Sequence, residues 1–244
     1  MSRFFVPKEA VQGKSILISG KEAHHILDVM RLKKLDRIVA FDGTGKEYVG
    51  FIKDVQRASL TVEITRTSSP IGKDTIKVTL LQALPKKEKM DYIVEKATEL
   101  GASSIVPVVT DRTIPRWEAP KKEAQVLRWQ KIAAQASGQC GRSDIPHIER
   151  IMTFLECIKY LNTYDLKLIA ALTEDTVDIK NAIAGFRGKK VVIGIGPEGD
   201  FTPDEVKAAK ESGFISVSLG PRVLKSDTAG LASLAILNYE FTDK

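Results

Sequence analysis

The stretch KKVVIGIGPEGDFTPDEVKAAKESG (residues 189–213) contains an apolar run, a glycine-rich loop and a segment with helix-capping residues, in that order. The apolar run predicts a strand that is buried on both faces. Thr202 and Glu205 have the spacing of a capping box, and Pro203 suits the first helical turn. Gly213 predicts the end of this helix. A strand followed by a helix is the unit from which parallel α/β sheets are built.

The same alternation of strand and helix continues through residues 74–244. Apolar runs predict strands at 75–84, 103–110, 166–172, 189–196 and 214–220. Helical spacing predicts helices at 89–101, 121–139, 153–162, 202–213 and 229–239. The last of these is so apolar that we expect it to be buried. The fold class is therefore α/β, with a parallel sheet covered by helices on both faces.

The first 68 residues follow a different pattern, in which short stretches alternate apolar and polar residues. Predicted strands lie at 15–20, 36–41, 47–55 and 59–67. The glycines at 43 and 45 predict a hairpin between the second and third strands. Helical spacing between the first two strands is seen for Ala23, Ile26, Leu27 and Met30. We expect a small β-barrel with one short helix, a linker at 68–74, and domains at 1–70 and 74–244.

Composition and charge restrict the class of protein. The 244 residues are 43% hydrophobic with a mean hydropathy of -0.10, as in a soluble globular protein. The net charge is +6, and residues 1–72 hold 12 basic against 8 acidic side chains, which fits either polyanion docking or an ordinary basic surface. Two cysteines and three histidines argue against a disulfide framework or a metal centre. Without a membrane-spanning run or a secretory pattern, we expect a cytoplasmic protein.

The glycines of the opening stretch also match a dinucleotide-binding pattern. Gly194, Gly196 and Gly199 spell G-x-G-x-x-G, but in a nucleotide site the helix begins at the glycines. Here a proline intervenes, and the acidic Glu198 and Asp200 would repel phosphates. The strand that follows also ends without the acid that would bind a ribose hydroxyl. Two alternatives remain, a tight turn whose glycines need positive φ, and a loop that binds a ligand with hydroxyls, amines and an adenine edge.

A second informative loop is LGPRVLKSDTAGL (219–231), after the last predicted strand. Arg222 and Lys225 lie close together in it, which an ordinary turn does not require. Residues able to cap the following helix are Ser226, Asp227 and Thr228. Because the carboxyl ends of parallel strands meet at one edge of a sheet, the loops after Gly196 and Gly220 predict a ligand crevice there.

Together with four other segments, these loops resemble the RsmE family of ribosomal RNA uridine methyltransferases, in the SPOUT superfamily. The matching segments are RFFV (3–6), HHILDVMR (24–31), LPKKEKMDYIVEKATELGA (84–102), RWQKIAAQASGQCGR (128–142), IGPEGDF (195–201) and LGPRVLKSDTAGL (219–231). The resemblance implies a PUA-like RNA-binding barrel followed by an α/β domain with a trefoil knot. It also implies a homodimer that binds S-adenosylmethionine at the knot and methylates N3 of one uridine in small-subunit (16S) ribosomal RNA.

The resemblance further implies a cofactor site at three strand ends and the start of the last helix. Its residues are Leu172, Thr173, Ile195, Gly196, Pro197, Glu198, Gly199, Leu219, Gly220, Arg222, Val223, Leu224, Thr228 and Ala229. The chain departs from the family at two places. Asp200 stands where the family usually has glycine, and Lys225-Ser226-Asp227-Thr228 replaces Arg-Thr-Glu-Thr or Arg-Ala-Glu-Thr. The carboxylate is shorter and the cation is not forked, so reach and geometry change.

Catalysis requires help at the uracil, since N3 is a poor nucleophile while it is protonated. A base that accepts the proton and a cation that stabilises the uracil anion are expected. The candidate bases are Asp227 and Glu198, and the candidate cations are Arg222 and Lys225. The alternative role for Asp227 is that of a helix cap alone.

Arginine, lysine and histidine side chains outside these loops are candidates for docking RNA. They are Arg3, His24, His25, Arg31, Lys86, Lys87, Lys89 and Arg142. A solvated helix start for the lysines and a packed role for one histidine are the alternatives. Three other functions are alternatives: a non-catalytic RNA- or ribosome-binding protein, a nicotinamide-dependent oxidoreductase and a metal-dependent methyltransferase. The last two are disfavoured by the missing ribose acid and the lack of ligand clusters.

Overall fold

A computed structural model describes residues 2–69, 76–86, 89–115 and 117–241. Residue contacts divide the chain into two compact units, each described here by itself. The small unit comprises Met1–Lys73 and Ala134–Ile145, and the large unit Asp74–Ala133 and Pro146–Lys244. This grouping adds a segment from the middle of the chain to the N-terminal residues. Most of the linker predicted at 68–74 lies outside the described residues.

The small unit contains a curled six-stranded sheet that forms half of a barrel. Its strands are β1 Arg3–Phe5, β2 Val11–Gln12, β3 Ser15–Ser19, β4 Arg37–Phe41, β5 Glu47–Gln56 and β6 Ser59–Ser68. They are ordered β1-β4-β5-β6-β3-β2, and all pairs are antiparallel except β1 with β4. The predicted hairpin joins β4 to β5, with positive φ at Gly43 and Gly45.

The helix of the small unit differs from the expected one. It consists of α1 (Gly20–His24) and a single π-helical turn at His25–Val29. Ala23 and Ile26 are buried in the core as expected, but Met30 is exposed. The π turn closes hydrogen bonds over five residues instead of four, so it rotates residue 30 away from the stripe that α-helical spacing defines.

The large unit contains a wholly parallel sheet of eight strands, which confirms the predicted fold class. Its strands are β7 Lys77–Ala83, β8 Ser104–Val109, β9 His147–Ile148, β10 Met152–Thr153, β11 Leu166–Ala170, β12 Val177–Asp178, β13 Lys190–Ile195 and β14 Ile215–Ser218. They are ordered β10-β8-β7-β13-β11-β14-β12, and β9 pairs with β8.

Helices cover both faces of this sheet. The helices after α1 are α2 Lys89–Glu99, α3 Ala119–Cys140, α4 Phe154–Tyr160, α5 Ile179–Ile183, α6 Pro203–Glu211 and α7 Ser226–Phe241, of which α3 is divided between the two units after Ala133. On one face α7 packs against α2, β7 and β13. On the other face α4 and α6 bury Phe154 and Val206 in a core with side chains of β7, β8, β11 and β13.

Several helix ends lie where the sequence predicts them. The side chain of Thr202 accepts a hydrogen bond from the Glu205 amide, and the Glu205 carboxylate accepts one from the Thr202 amide. Gly101 and Gly213 follow α2 and α6 with φ of +87° and +84°, as helix-ending glycines do. The expectation of full burial for the last helix is wrong, because Tyr239 on α7 is 71% exposed.

Two features, a membrane-spanning helix and a metal-binding cluster, are absent from the part of the chain that the structure describes. No helix within it combines the length and the apolar character that a membrane crossing requires. Among the same residues, no group of three or more His, Cys, Asp or Glu side chains has a geometry that could hold a metal ion.

Candidate functional site

A cavity of about 530 Å³ opens at the carboxyl ends of β11, β13 and β14, which are neighbours in the large-unit sheet. Its walls include the buried apolar side chains of Ala171, Ile195 and Val217. Lys89, at the start of α2, and Arg222, after β14, add positive charge to the lining. The cavity therefore has apolar walls and a charged rim at the sheet edge where the sequence predicts a crevice.

Most of the residues implied for the cofactor site line this cavity. They are Leu172, Ile195, Gly196, Pro197, Glu198, Leu219, Gly220, Arg222, Val223, Leu224 and Ala229. Gly199 and Thr228 are exposed and do not line it, and Thr173 lines a neighbouring cavity of about 470 Å³. The Thr173 hydroxyl lies 2.8 Å from Asp175 Oδ1 and 3.2 Å from Lys210 Nζ, so it belongs to a polar cluster outside the first cavity.

The loop after β13 is anchored by two neighbouring loops of the sheet edge. Glu198 Oε1 accepts a hydrogen bond of 3.1 Å from the amide of Lys86, in the loop after β7. Arg112, in the loop after β8, donates to the carbonyl oxygen of Gly199 at 2.6 Å. The carboxylate of the candidate base Glu198 is thus partly engaged in holding backbone in place.

The glycines of this loop do not have the positive φ that a tight turn would require, and at Gly196 a close approach of neighbouring atoms favours glycine instead. None of Gly194, Gly196 and Gly199 has positive φ, and the left-handed residue is Asp200, with φ of +61°. Gly194 lies inside β13, which removes it from the apparent dinucleotide pattern. At Gly196 a Cβ would lie 3.0 Å from Asp200 Oδ1 and 3.2 Å from the ring of Phe201, so a larger residue there would force these neighbours to shift. The alternative of a tight turn that needs positive φ at these glycines is therefore wrong, and the alternative of a ligand-binding loop is left.

The first turn of α7 holds the candidate base Asp227 against a cation. Asp227 Oδ2 lies 3.3 Å from Lys89 Nζ, and its Oδ1 accepts a hydrogen bond of 3.1 Å from the amide of Thr228. Asp227 lies in the first turn of α7 and does not itself line the cavity, whereas its partner Lys89 does. Lys89, which the sequence indicates only as an RNA-docking residue, therefore joins Asp227 to the cavity wall.

Two buried polar residues, Ser226 in the cavity lining and Gln82 outside it, were not predicted from the sequence to contact each other. Ser226, considered only as a helix cap, is buried and donates from Oγ to the carbonyl oxygen of Gly196 at 2.5 Å. Gln82, in the apolar strand β7, is fully buried and lies 3.0 Å from Ser226 Oγ through Nε2. A glutamine within an otherwise apolar strand was the only sequence signal for this contact.

Two of the candidate RNA-binding arginines are engaged within the small unit. Arg3 Nη2 lies 2.6 Å from Glu47 Oε1, and Arg142 Nη2 lies 2.7 Å from Asp144 Oδ2. Their side chains are only 21% and 14% exposed. Ser143 Oγ donates to the same Glu47 oxygen at 2.5 Å. We call Arg3, Glu47, Arg142, Ser143 and Asp144 the small-unit ion cluster.

This cluster changes the acidity of its central carboxylate. Burial alone would raise the pKa of Glu47, but hydrogen bonds from Ser143 and Arg3 and the charge of Arg3 bring that pKa below its ordinary value. The guanidinium groups of Arg3 and Arg142 therefore balance internal carboxylates, and an RNA phosphate would have to compete with these partners.

The remaining RNA-binding candidates are more exposed. His24 is on the surface with Nδ1 2.6 Å from Asp28 Oδ2, and His25 packs edge-on against Phe4 with half of its side chain exposed. Arg31 is exposed and has an unusual φ of +55°. In the large unit the side chain of Lys86 is exposed, whereas that of Lys89 pairs with Asp227. Lys87 lies outside the described residues.

Comparison with known families identifies both parts of the chain. Residues 73–238 match the model of a family described as an RNA methyltransferase domain. Residues 18–65 match a family described as an RNA methyltransferase PUA domain.

Individual relatives agree over nearly the whole length. Ribosomal RNA small subunit methyltransferase E of Bacillus subtilis is 28% identical, and the alignment covers 98% of this chain and 97% of the relative. A putative methyltransferase from Legionella pneumophila, solved in complex with S-adenosylmethionine, has a TM-score of 0.86 at 28% identity, covering 98% and 97% of the two chains. Ribosomal RNA small subunit methyltransferase E from Neisseria gonorrhoeae, solved with S-adenosyl methionine, has a TM-score of 0.86 at 27% identity, covering 99% and 98%.

Proposed function

The chain belongs to the RNA methyltransferase family whose domain matches residues 73–238, and we propose that it methylates N3 of one uridine in small-subunit (16S) ribosomal RNA, with S-adenosylmethionine as the methyl donor. The full-length similarity to enzymes named ribosomal RNA small subunit methyltransferase E supports an activity on ribosomal RNA. The choice of N3 of uridine comes from the family resemblance of the motifs.

The observation that carries this proposal is the cavity at the ends of β11, β13 and β14, with its apolar walls and charged rim. Apolar side chains such as Ile195 and Val217 suit the faces of an adenine ring. Leu219 and Leu224 also line the cavity, and their backbone groups have no hydrogen-bond partner within the described part of the chain, so these groups are available to the polar edge of the ring. These features fit S-adenosylmethionine.

The proposed chemistry assigns a task to each charged residue at the rim. Bound S-adenosylmethionine supplies an electrophilic methyl group, which leaves the protein to orient the uracil and remove its N3 proton. Asp227 is the proposed acceptor of that proton, and the Lys89 ammonium, 3.3 Å away, holds its carboxylate beside the cavity. Arg222 and Lys225 are exposed beside the cavity and are the proposed stabilisers of negative charge on the uracil carbonyls.

Docking of the RNA is assigned to exposed groups of the small unit. The proposed contacts are His24, His25 and Arg31, supported by the match of residues 18–65 to a PUA domain. Arg3 and Arg142 belong to the small-unit ion cluster and have a weaker claim. The division of labour between residues 1–70 for RNA docking and 74–244 for methyl transfer is part of the same proposal.

We also propose a homodimer formed through the large unit. Apolar side chains lie exposed around α7 and the cavity: Val223 is 88% exposed, Leu172 65% and Tyr239 71%. Exposed apolar side chains commonly mark an interface, and a second copy covering α7 would explain the exposed Tyr239 on this apolar helix. Light scattering of the wild-type protein and of Tyr239→Glu should report a dimer and a monomer, respectively. The trefoil knot and the cytoplasmic location stay predictions.

The test of the proposed function is transfer of labelled methyl from S-adenosylmethionine to small ribosomal subunits from cells that lack this modification. Mass spectrometry of the nucleosides should place the label in 3-methyluridine. Label in another nucleoside would retain the methyltransferase and reject the proposed target. Cofactor binding without any label would favour the non-catalytic RNA-binding alternative.

A further inference from the structure

A chain of three buried groups connects the two loops that border the cavity. Ser226 Oγ lies 2.5 Å from the carbonyl oxygen of Gly196, and Gln82 Nε2 lies 3.0 Å from the same Oγ and 3.1 Å from the carbonyl oxygen of Ala83. Gln82 is fully buried and Ser226 is 7% exposed. None of these contacts takes part in the chemistry assigned to the rim.

The direction of each hydrogen bond follows from counting protons. A serine hydroxyl has one proton, and the Gly196 carbonyl can only accept, so Ser226 donates to Gly196. Ser226 Oγ must then accept from Gln82, whose second amide proton goes to the carbonyl of Ala83. Both protons of the Gln82 amide are therefore used, and the orientation of this amide is determined.

The fold explains how residues so distant in sequence meet. Gln82 is paired in register with Ile195, so it lies beside the last residue of β13, directly before Gly196. Ser226 is the first residue of α7 and precedes Asp227. The three groups thus tie the end of β13, which forms one cavity wall, to the helix that carries the proposed base.

The helix also confines the glutamine from the other side. A Cβ at Gly230, one turn into α7, would lie 2.8 Å from Gln82 Oε1. This oxygen has no hydrogen-bond partner among the residues that the structure describes. The Gln82 side chain is therefore held between Ser226 and Gly230, and only a residue without a side chain at 230 leaves room for it.

We propose that Gln82 and Ser226 are positioning residues, which hold the Gly196 loop and the start of α7 in one fixed arrangement for cofactor binding. This inference rests on the proposed function, because it takes the cavity to be the S-adenosylmethionine site. Loss of the Ser226 hydroxyl would leave the Gly196 carbonyl and one N–H of the Gln82 amide buried without partners, and both loops would have to move to satisfy them.

The test is the affinity of the full-length protein for S-adenosylmethionine, measured by calorimetry without RNA. Ser226→Ala and Gln82→Met should each weaken binding by about tenfold, the effect expected when a buried polar group loses its partner. Because the two residues belong to one series of hydrogen bonds, the double variant should bind S-adenosylmethionine about as weakly as either single variant. Ser226→Thr keeps the hydroxyl, so this variant should retain most of the wild-type affinity for S-adenosylmethionine.

Two controls separate positioning from general loss of stability. Ser233→Ala removes another buried hydroxyl of α7, which donates to the Ala229 carbonyl, and Cys157→Ala makes a small void in the core on the opposite face of the sheet. Both should lower the melting temperature and leave the affinity unchanged. Gly230→Ala should weaken binding in the wild-type background but hardly in Gln82→Ala, where the methyl group has room.

The outcomes distinguish this inference from the proposed function. Wild-type protein that fails to bind S-adenosylmethionine would reject the proposed function itself. Wild-type protein that binds, together with Ser226→Ala and Gln82→Met variants whose affinity stays within twofold, would reject only the positioning role. Affinity that falls in proportion to melting temperature in every variant, the two controls included, would also reject it.

Discussion

The small-unit ion cluster and the rim of the cavity use the same kinds of side chain in opposite ways. In the cluster, Arg3 and Arg142 are mostly buried and each pairs with a carboxylate. At the rim, Arg222 and Lys225 are exposed and have no ion-pair partner within the described residues. A charge that is already balanced stabilises the fold, whereas a charge that is left unbalanced is available to a ligand.

This difference has an energetic consequence. Removing one member of a mostly buried ion pair leaves the other charged group without compensation, so the free energy of unfolding falls. Removing an exposed charge changes the free energy of unfolding little, and its effect is expected in binding or turnover. Stability and activity measurements on matched substitutions therefore distinguish the two regions.

The largest effect is expected at the rim, for Asp227→Asn. This variant cannot accept a proton from uracil, so methyl transfer should fall by about 100-fold, within the range known for general bases. Affinity for S-adenosylmethionine and the free energy of unfolding should stay close to the wild-type values. Single-turnover rates with small ribosomal subunits measure the effect, and Glu123→Gln on the exposed side of α3 is the matched control. Unchanged turnover would leave Asp227 with a structural role only.

The next effect is expected in the small-unit ion cluster, for Arg3→Met. The carboxylate of Glu47 would keep only the hydrogen bond from Ser143, so the free energy of unfolding should fall by about 2 kcal/mol. Arg222→Met at the rim should change it by less than ~0.5 kcal/mol. Urea denaturation of both variants gives the comparison. Equal losses in the two would show that the balanced and unbalanced arginines do not differ.

The sequence predicts features that depend on neighbouring residues. The capping pairs Thr202 with Glu205 and Thr153 with Glu156, and the glycine at 213 after α6, all lie within one or two helical turns. Their geometry follows from spacing along one helix, which the sequence displays directly. The five longer strands of the parallel sheet were predictable for a similar reason, because each carries its own apolar pattern. The two-residue strands β9, β10 and β12 were not predicted, since two residues are too few to show a pattern.

Features that depend on distant partners were not predictable. Arg3 meets Glu47 and Ser143, and Gln82 meets Ser226 across 144 positions of the chain. The periodicity of the sequence does not predict such contacts between distant residues, because they form only when the strands are arranged in the sheet. The sequence therefore indicates which residues can bind a charged ligand, and the fold decides which of them are still available.

RNA binding should distinguish an exposed arginine of the small unit, Arg31, from a paired one, Arg142. Arg31→Ala removes an exposed cation, so RNA affinity should fall about fivefold, and the salt dependence of binding should decrease by about one counterion. Arg142→Met removes a balanced cation, so it should lower stability and leave the salt dependence unchanged. Fluorescence anisotropy with a small-subunit RNA fragment at several salt concentrations measures both. A salt dependence that decreases equally in the two variants would show that Arg142 also contacts phosphate.

The pH dependence of stability is a further test of the ion cluster. The pKa of Glu47 is lowered in the folded protein, so this carboxylate favours the folded state above its unfolded pKa. That contribution is lost as the pH falls through the folded pKa. Wild-type protein should therefore be more stable than Glu47→Gln at neutral pH, and the difference should shrink as the pH falls from neutral through the ordinary glutamate pKa of 4.5. A constant difference in urea midpoints over this range would exclude the assigned pKa direction.

The smallest effect is expected at Asp200, which borders the cavity in the left-handed conformation. Its φ of +61° is unfavourable for a residue with a side chain, and its carboxylate offsets part of that cost by accepting from the Phe201 amide at 2.8 Å. Asp200→Gly relieves the backbone but loses this hydrogen bond and gains freedom in the unfolded chain, so stability should change by less than ~0.5 kcal/mol. Asp200→Ala keeps the unfavourable φ and loses the hydrogen bond, so it should cost about 1 kcal/mol. Thermal denaturation of the two variants measures the difference, and an alanine as stable as the glycine would show that backbone conformation does not restrict this position.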